Sequence, residues 1–181
     1  MKVVAIVGMN GSGKSEVSAR FEEAGFVRIR FGDITDKELD RRGMEINEEN
    51  ERRVRKVLRD EHGMEAYAVL NLPIINEALN RAHVVVDGLY SWEEYRLLKE
   101  QLGDDLIIVA VYASPKTRQN RLPNRRIRPL SPEESLSRDY NEIEKLNKGG
   151  PIAMADFTLI NESNLRELKR ETGKIISSIA S

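Results

Sequence analysis

At 181 residues the chain is long enough for one α/β domain with a full core and too short for two ordinary domains. Lysine and arginine total 29 against 30 aspartates and glutamates, so the molecule as a whole has no electrostatic bias toward nucleic acid or a membrane surface. It has no cysteine, which excludes disulfides, thiolate nucleophiles and cysteine-based zinc sites and suits a reducing compartment. No apolar run approaches membrane-spanning length, and the first strand begins at residue 2, so a cytoplasmic protein without a signal peptide is expected.

Lys2-Val3-Val4-Ala5-Ile6-Val7 is a β-branched run that reads as a buried strand. Gly8-Met9-Asn10-Gly11-Ser12-Gly13-Lys14-Ser15 follows with the phosphate-loop spacing of glycine, four residues, then Gly-Lys-Ser. Glu16-Val17-Ser18-Ala19-Arg20-Phe21 then begins a helix. Strand, glycine loop and helix are the context the motif needs. Glycine angles gather consecutive N–H groups around an anionic oxygen, and the helix presents its positive end to the same point. Gly8, Asn10, Gly11, Ser12, Gly13, Lys14, Ser15 and Glu16 are therefore the candidate nucleotide-binding set. Lys14 would neutralise the β and γ phosphates, and the Ser15 hydroxyl would take one Mg²⁺ position.

The first helix should end near Ala24-Gly25, and Phe26 to Phe31, alternating apolar and basic residues, should form the second strand. A helix from Gly32-Asp33 to about Arg42 is expected, with Thr35 and Glu38 in capping-box positions and Gly43 closing it. Asn47 caps a predicted helix over Glu48 to Glu61, which has an apolar stripe of Val54, Val57 and Leu58 and a separate face of Arg52, Arg55 and Arg59. The next helix carries Ala66, Tyr67 and Leu70, breaks or restarts at Pro73, and continues through Ile74, Ile75 and Leu79. Three helices between two strands exceed what a crossover needs, so residues 33 to 82 are where a second substrate is expected to be held.

Ala82 to Asp87 is a hydrophobic strand ending in an acid. At the carboxyl edge of the sheet, Asp87 stands where it can hold the Mg²⁺ shell or take a proton from an attacking group. Ser91 and Glu94 make a capping box for a helix whose Trp92, Tyr95, Leu97 and Leu98 read as core. Leu106 to Tyr112 is a buried fourth strand, and Ser114-Pro115 starts a helix by the N-cap and first-turn proline rule.

Lys116, Arg118, Arg121, Arg125, Arg126 and Arg128 then lie between Asp105 and Glu133 with no acid among them. Pro123 and Pro129 make the later half a loop. An arginine-rich loop at about residues 121 to 132 suits a lid that closes over polyphosphate and excludes water. Ser131-Pro132-Glu133-Glu134 opens a helix reaching Asn147 and ended by Gly149-Gly150, with Arg138 pointing back at the same phosphates. Asp156 to Ile160 is the fifth strand, and after Asn161 a closing helix presents Leu165, Leu168, Ile175, Ile176 and Ile179 to the sheet.

These elements, with the short stretches Phe31-Gly32-Asp33, Val86-Asp87-Gly88, Ala113 to Arg118, Ser137-Arg138-Asp139 and Ala155 to Asn161, resemble the P-loop nucleotide kinases over the whole chain. That family includes adenylate kinase and dephospho-CoA kinase, and the closest form looks like the adenylate-kinase-related proteins of archaea and uncultured bacteria. The resemblance implies a single three-layer α/β/α domain over residues 1 to 181. Its sheet would be five-stranded and parallel, in the order 2-3-1-4-5, with a helical acceptor-binding insertion and a short lid. It also implies ATP and Mg²⁺ as cofactors, a small-molecule phosphate acceptor, and a monomer or homodimer. Arg121, Arg125, Arg126 and Arg138 would stabilise charge on the transferring phosphoryl. Arg121 and Asn161 would join the nucleotide site, with the loop after Asn161 against adenine.

Two positions depart from the family's pattern. The arginine usually found three residues after the Gly-Asp pair is Asp36 here, and the one usually found soon after the acid-glycine pair is replaced by Leu89-Tyr90-Ser91. Arg30, Arg41, Arg52 and Arg55 are the candidate substitutes. Asp33 is the candidate to take the proton of an acceptor hydroxyl, as an acid in that region does in dephospho-CoA kinase, and Tyr90 to stack on a base or sugar.

The leading expectation is therefore an ATP-dependent kinase acting on a nucleoside monophosphate or a dephospho-CoA-like hydroxyl. The alternative is a nucleotide-switched regulator or RNA-associated ATPase gripping a phosphate backbone with the basic 116 to 128 segment. Against it stand the balanced charge and the lack of aromatic residues in that segment.

Overall fold

The computed structural model describes residues 1–124 and 129–179. In chain order these form β1 (Val3–Val7), α1 (Lys14–Glu23), β2 (Val27–Arg30), α2 (Asp33–Arg41), α3 (Glu48–His62), α4 (Ala66–Leu79) and β3 (Val84–Asp87). The second half adds α5 (Trp92–Leu102), β4 (Leu106–Tyr112), α6 (Pro115–Arg121), α7 (Pro132–Glu144), α8 (Gly149–Ala153), β5 (Phe157–Ile160) and α9 (Leu165–Ile179).

The strands form one parallel sheet in the expected order, β2-β3-β1-β4-β5. Every residue of β1 is buried, because the strand sends alternate side chains into two cores. Val3, Ala5 and Val7 join Leu39, Leu58, Tyr67, Ile75 and Leu98 from α2 to α5. Val4 and Ile6 join Val17 and Phe21 of α1 with Leu168 and Ile175 of α9. The result is the three-layer arrangement. Register sets Ile6 against Asp87, so the end of β1 and the acid of β3 emerge side by side at the carboxyl edge of the sheet.

Local signals set most helix ends. Asn47, Ser91, Ser114 and Ser131 each accept a backbone N–H from the first turn of their helices, and both Ser91/Glu94 and Ser131/Glu134 form reciprocal capping boxes.

Three expectations are corrected. Helix α2 has no side-chain cap; buried Thr35 instead bonds the Tyr67 hydroxyl at 2.6 Å, and Glu38 pairs with Arg41 and Arg42. The buried phenol needs a partner more than an exposed helix end does. Helix α4 passes through Pro73 unbroken. The ring removes the bond to the carbonyl of Val69, itself an exposed residue, and the neighbouring turns hold.

Finally, α7 stops at Glu144, and Gly149-Gly150 opens α8 instead of closing α7. The reversal falls at Asn147, with φ of 50°, after which the Lys148 N–H bonds the Glu142 carbonyl at 3.1 Å. Gly150 is required for packing, since a Cβ there would stand 2.5 Å from the Trp92 ring.

Among the described residues no helix is long and apolar enough to cross a membrane.

Candidate active site

The glycine loop leaves β1 at Gly8, whose φ of 144° and closeness to Val111 forbid any side chain: a Cβ would lie 2.3 Å from the Val111 carbonyl oxygen. At Gly13, with φ of 104°, a Cβ would lie 2.4 Å from Nδ2 of Asn161. That amide donates to the Ser12 carbonyl at 2.8 Å and braces the loop from the β5 side. Helix α1 begins at Lys14, and its Glu16 and Val17 amides both turn onto the Gly13 carbonyl, so the positive end of the helix dipole faces the loop. Lys14 Nζ reaches across to the Met9 carbonyl at 3.1 Å, and the buried Ser12 hydroxyl has no hydrogen-bond partner among the described residues. A cradle that only glycine fits, closed by an ammonium group, suits a polyphosphate.

The loop's other brace is Arg118. Its guanidinium donates to the Ala113 and Asn10 carbonyls, both at 3.1 Å, and grips Asp139 of α7 through two bonds of 2.8 and 2.7 Å. This corrects the reading of residues 116 to 128 as an unbalanced basic run. Arg118 is buried and paired, an internal strut joining α6, α7 and the loop.

A cleft of about 710 Å³ opens over the loop. Of the residues expected to bind nucleotide, Asn10, Gly11, Gly13, Lys14, Ser15, Glu16, Arg121 and Asn161 line one side of it, while Gly8 and Ser12 do not. Arg121 Nη2 is 3.5 Å from Asn161 Oδ1, and its buried Nη1 has no hydrogen-bond partner among the described residues. Leu165 lines this side, 47% exposed, instead of packing on the sheet as expected.

The far side is lined by Arg30, Asp87, Tyr90, Arg138, Glu142 and Lys148. Asp87 accepts from Arg28 of β2 at 2.5 Å. Burial works against the Arg28 charge, but Asp87 and Glu22 outweigh it and raise the guanidinium's pKa. Arg138 lies 3.5 Å from Glu142 and 3.8 Å from Glu48 of α3, and Lys148 Nζ donates to Glu142 at 2.7 Å. Burial pushes Glu142 upward, yet Lys148, Lys14 and Arg138 together bring it down to about 2.

Arg28, Glu142 and Lys148 escaped the sequence reading. Arg28 looked like one more basic residue of an alternating strand, and Lys148 sits in what read as a helix end.

Of the four arginines considered as substitutes, only Arg30 is among the cleft's lining residues. Arg41 turns to Glu38, Arg55 to Glu48 and Glu51, and Arg52 is exposed. Asp33 pairs with Arg30 at 3.1 Å, next to Gly32 of the cleft wall. Tyr90 does not offer a free stacking face, because Lys148 lies over its ring at 5.5 Å and Tyr67 meets it edge-on at 5.7 Å. Burial, with Asp87 and Glu94 nearby, raises the phenol's pKa. The remaining lid arginines, Arg125, Arg126 and Arg128, lie outside the described residues.

Among the described residues no three His, Asp or Glu side chains converge as a metal cage. Ser15 and Asp87 are oxygen donors at the loop, a set that fits Mg²⁺, which takes most of its ligands from phosphates and water.

Comparison with known proteins adds four observations. A family model described as an AAA domain matches residues 4–147. A UPF0200 protein from Thermococcus kodakarensis is 36% identical over 183 residues, covering 99% of this chain and 98% of its own. A gluconokinase from Sinorhizobium meliloti superposes with a TM-score of 0.61 at 19% identity, covering 99% of this chain and 93% of its own. A shikimate kinase from Acinetobacter baumannii, in complex with shikimate, gives 0.58 at 18% identity with the same coverages. At such identities the likeness to the two kinases is one of fold.

Proposed function

The chain belongs to the AAA-domain family and to the UPF0200 proteins, with the fold of P-loop kinases; on that premise we propose that it transfers the γ-phosphoryl group of ATP to a small acceptor. The observation that carries this reading is the meeting of three things at one sheet edge: the glycine cradle with Lys14, the acid Asp87, and the partly unpartnered Arg121. Phosphoryl transfer needs positioning and charge neutralisation more than a special nucleophile, and this edge supplies both.

In the reaction the bond from the γ phosphorus to the β–γ bridging oxygen breaks, a bond to the acceptor oxygen forms, and ADP leaves with the electron pair. Lys14 and the loop amides hold the phosphates, while Arg121 and Arg138 neutralise charge on the moving group from either side of the cleft. Ser15 and Asp87 are the residues that would hold Mg²⁺, which when bound would supply positive charge to the phosphates. The names of the structural neighbours favour a small-molecule acceptor, and the cleft has room for one beyond the loop.

The test is steady-state ADP release with ATP, Mg²⁺ and a panel of acceptors. Lys14→Ala and Asp87→Asn are each expected to lower acceptor-dependent release about 100-fold or more, as loss of one preorganised charged group does. Release that survives Lys14→Ala unchanged would overturn the reading.

A further inference from the structure

Charge pairing divides the cleft in two. Beside the phosphate loop, Arg121 keeps a buried nitrogen without a hydrogen-bond partner among the described residues. On the far side each described cation meets a carboxylate. Arg28 pairs with Asp87 at 2.5 Å and Arg30 with Asp33 at 3.1 Å. Lys148 pairs with Glu142 at 2.7 Å, and Arg138 lies between Glu142 and Glu48 at 3.5 and 3.8 Å. An incoming phosphate or carboxylate would find these cations already paired and would have to displace Asp87 or Glu142 to reach one. Burial works against the Glu142 charge, but Lys148, Lys14 and Arg138 outweigh it and keep the carboxylate ionised, so protonation does not free those cations near neutral pH.

One neutral donor is built into the same wall. The Tyr90 hydroxyl lies between two glycines: a Cβ on Gly88 would stand 2.7 Å from it, and one on Gly32 3.4 Å. Its ring is fixed by Lys148 and Tyr67, so the hydroxyl is presented in a set position. A carboxylate, a guanidinium and a phenol side by side suit a diol, whose O–H groups need acceptors and whose lone pairs need donors.

We propose that the acceptor is an uncharged, polyhydroxylated ring, a free sugar or the ribose of a nucleoside, bound by the Tyr90 hydroxyl, Glu142 and the Arg138 guanidinium. This rests on the kinase reading above and names its acceptor. One ring hydroxyl gives its proton to Asp87 as its oxygen bonds the γ phosphorus of ATP. The bond from that phosphorus to the bridging oxygen breaks, and ADP carries off the electron pair. The two missing acceptor arginines, at Asp36 and Tyr90, are then the mark of a changed substrate.

The experiment gives the wild-type protein ATP and Mg²⁺ with, in separate arms, free pentoses and hexoses, nucleosides, and the 5′-monophosphates of those nucleosides. Products are read by mass, and ATP affinity is measured separately by calorimetry. One uncharged arm is expected to show kcat/KM about 100-fold or more above the monophosphate arm, since the added phosphate would have to displace carboxylates from their cations. Tyr90→Phe should lower kcat/KM for that acceptor about tenfold, the loss of one hydrogen bond, with ATP affinity and the unfolding midpoint unchanged. Glu142→Gln should act in the same direction.

Preference for monophosphates, ATP binding with no transfer in any arm, or a Tyr90→Phe protein equal to wild type each overturns the acceptor assignment. Failure of the wild-type protein to bind ATP would overturn the kinase reading, and this assignment with it.

Discussion

Two buried glutamates titrate in opposite directions. Glu142 is brought down to about 2 because Lys148, Lys14 and Arg138 outweigh its burial. Its folded value lies below the unfolded one, so its contribution is present above about pH 4.5 and is lost as pH falls toward 2. Glu94 is pushed up to about 7 by burial, which the Tyr90 and Ser91 amides, Arg59 and Lys148 offset only in part. The folded state keeps a proton that the unfolded chain releases near 4.5, so stability falls as pH rises from there to about 7. The size of that fall is on the order of 3 kcal/mol. Glu94→Gln keeps the capping oxygen and removes the titration. Urea unfolding at pH 5 and pH 8 should therefore show wild type losing stability relative to the variant by about that amount, and a constant difference would contradict it. Lys148→Met strands Glu142 without its nearest cation and should cost about 3–5 kcal/mol by the same measurement. A loss below about 1 kcal/mol would mean that the pair is not the buried contact described.

Among the elements, α6 and α7 are tied to the phosphate loop by one guanidinium. Arg118 reaches the Asn10 carbonyl and Asp139 together, so its removal frees a buried carboxylate and loosens the loop at once. Arg118→Met is expected to cost about 3–5 kcal/mol, and Arg118→Lys to rescue little because an ammonium cannot make the two-pronged contact. Pairing Arg118→Met with Asp139→Leu should restore most of the loss, since no unpaired charge remains. Chemical denaturation of the single and double variants checks this, and single-variant losses within about 0.5 kcal/mol would contradict it. Legibility differs between elements for the same reason that Arg118 misled. Caps such as Ser91/Glu94 need only residues three apart and were readable. The partner of Arg118 lies 21 residues away and that of Arg28 lies 59 away, and no spacing rule reports them. Pro73 carried a true local signal, but packing along a buried helix overrode it.

At the level of the whole molecule, strand order, layers and the meeting of β1 with β3 were readable, because one alternating strand and one motif constrain a parallel sheet closely. The phosphate-loop part of the cleft follows from residues close in the chain: Lys14, Ser15 and Glu16 line it, with Arg121 and Asn161 from much later in the sequence. The rest of the cleft was legible only in part, through Arg30 and Tyr90. It is made by Arg30, Tyr90, Glu142 and Lys148 from four separate segments, and its character comes from charges cancelling across the fold. The claim that everything else depends on is that the glycine cradle and Lys14 hold a triphosphate. Calorimetric titration of Mg²⁺ and ATP into the wild-type protein and into Lys14→Ala tests it most directly. The account predicts binding by the wild type and an affinity about 10- to 100-fold weaker in the variant, the size of a lost charge-assisted contact. Equal affinity in the two proteins, or no binding by the wild type, would contradict it.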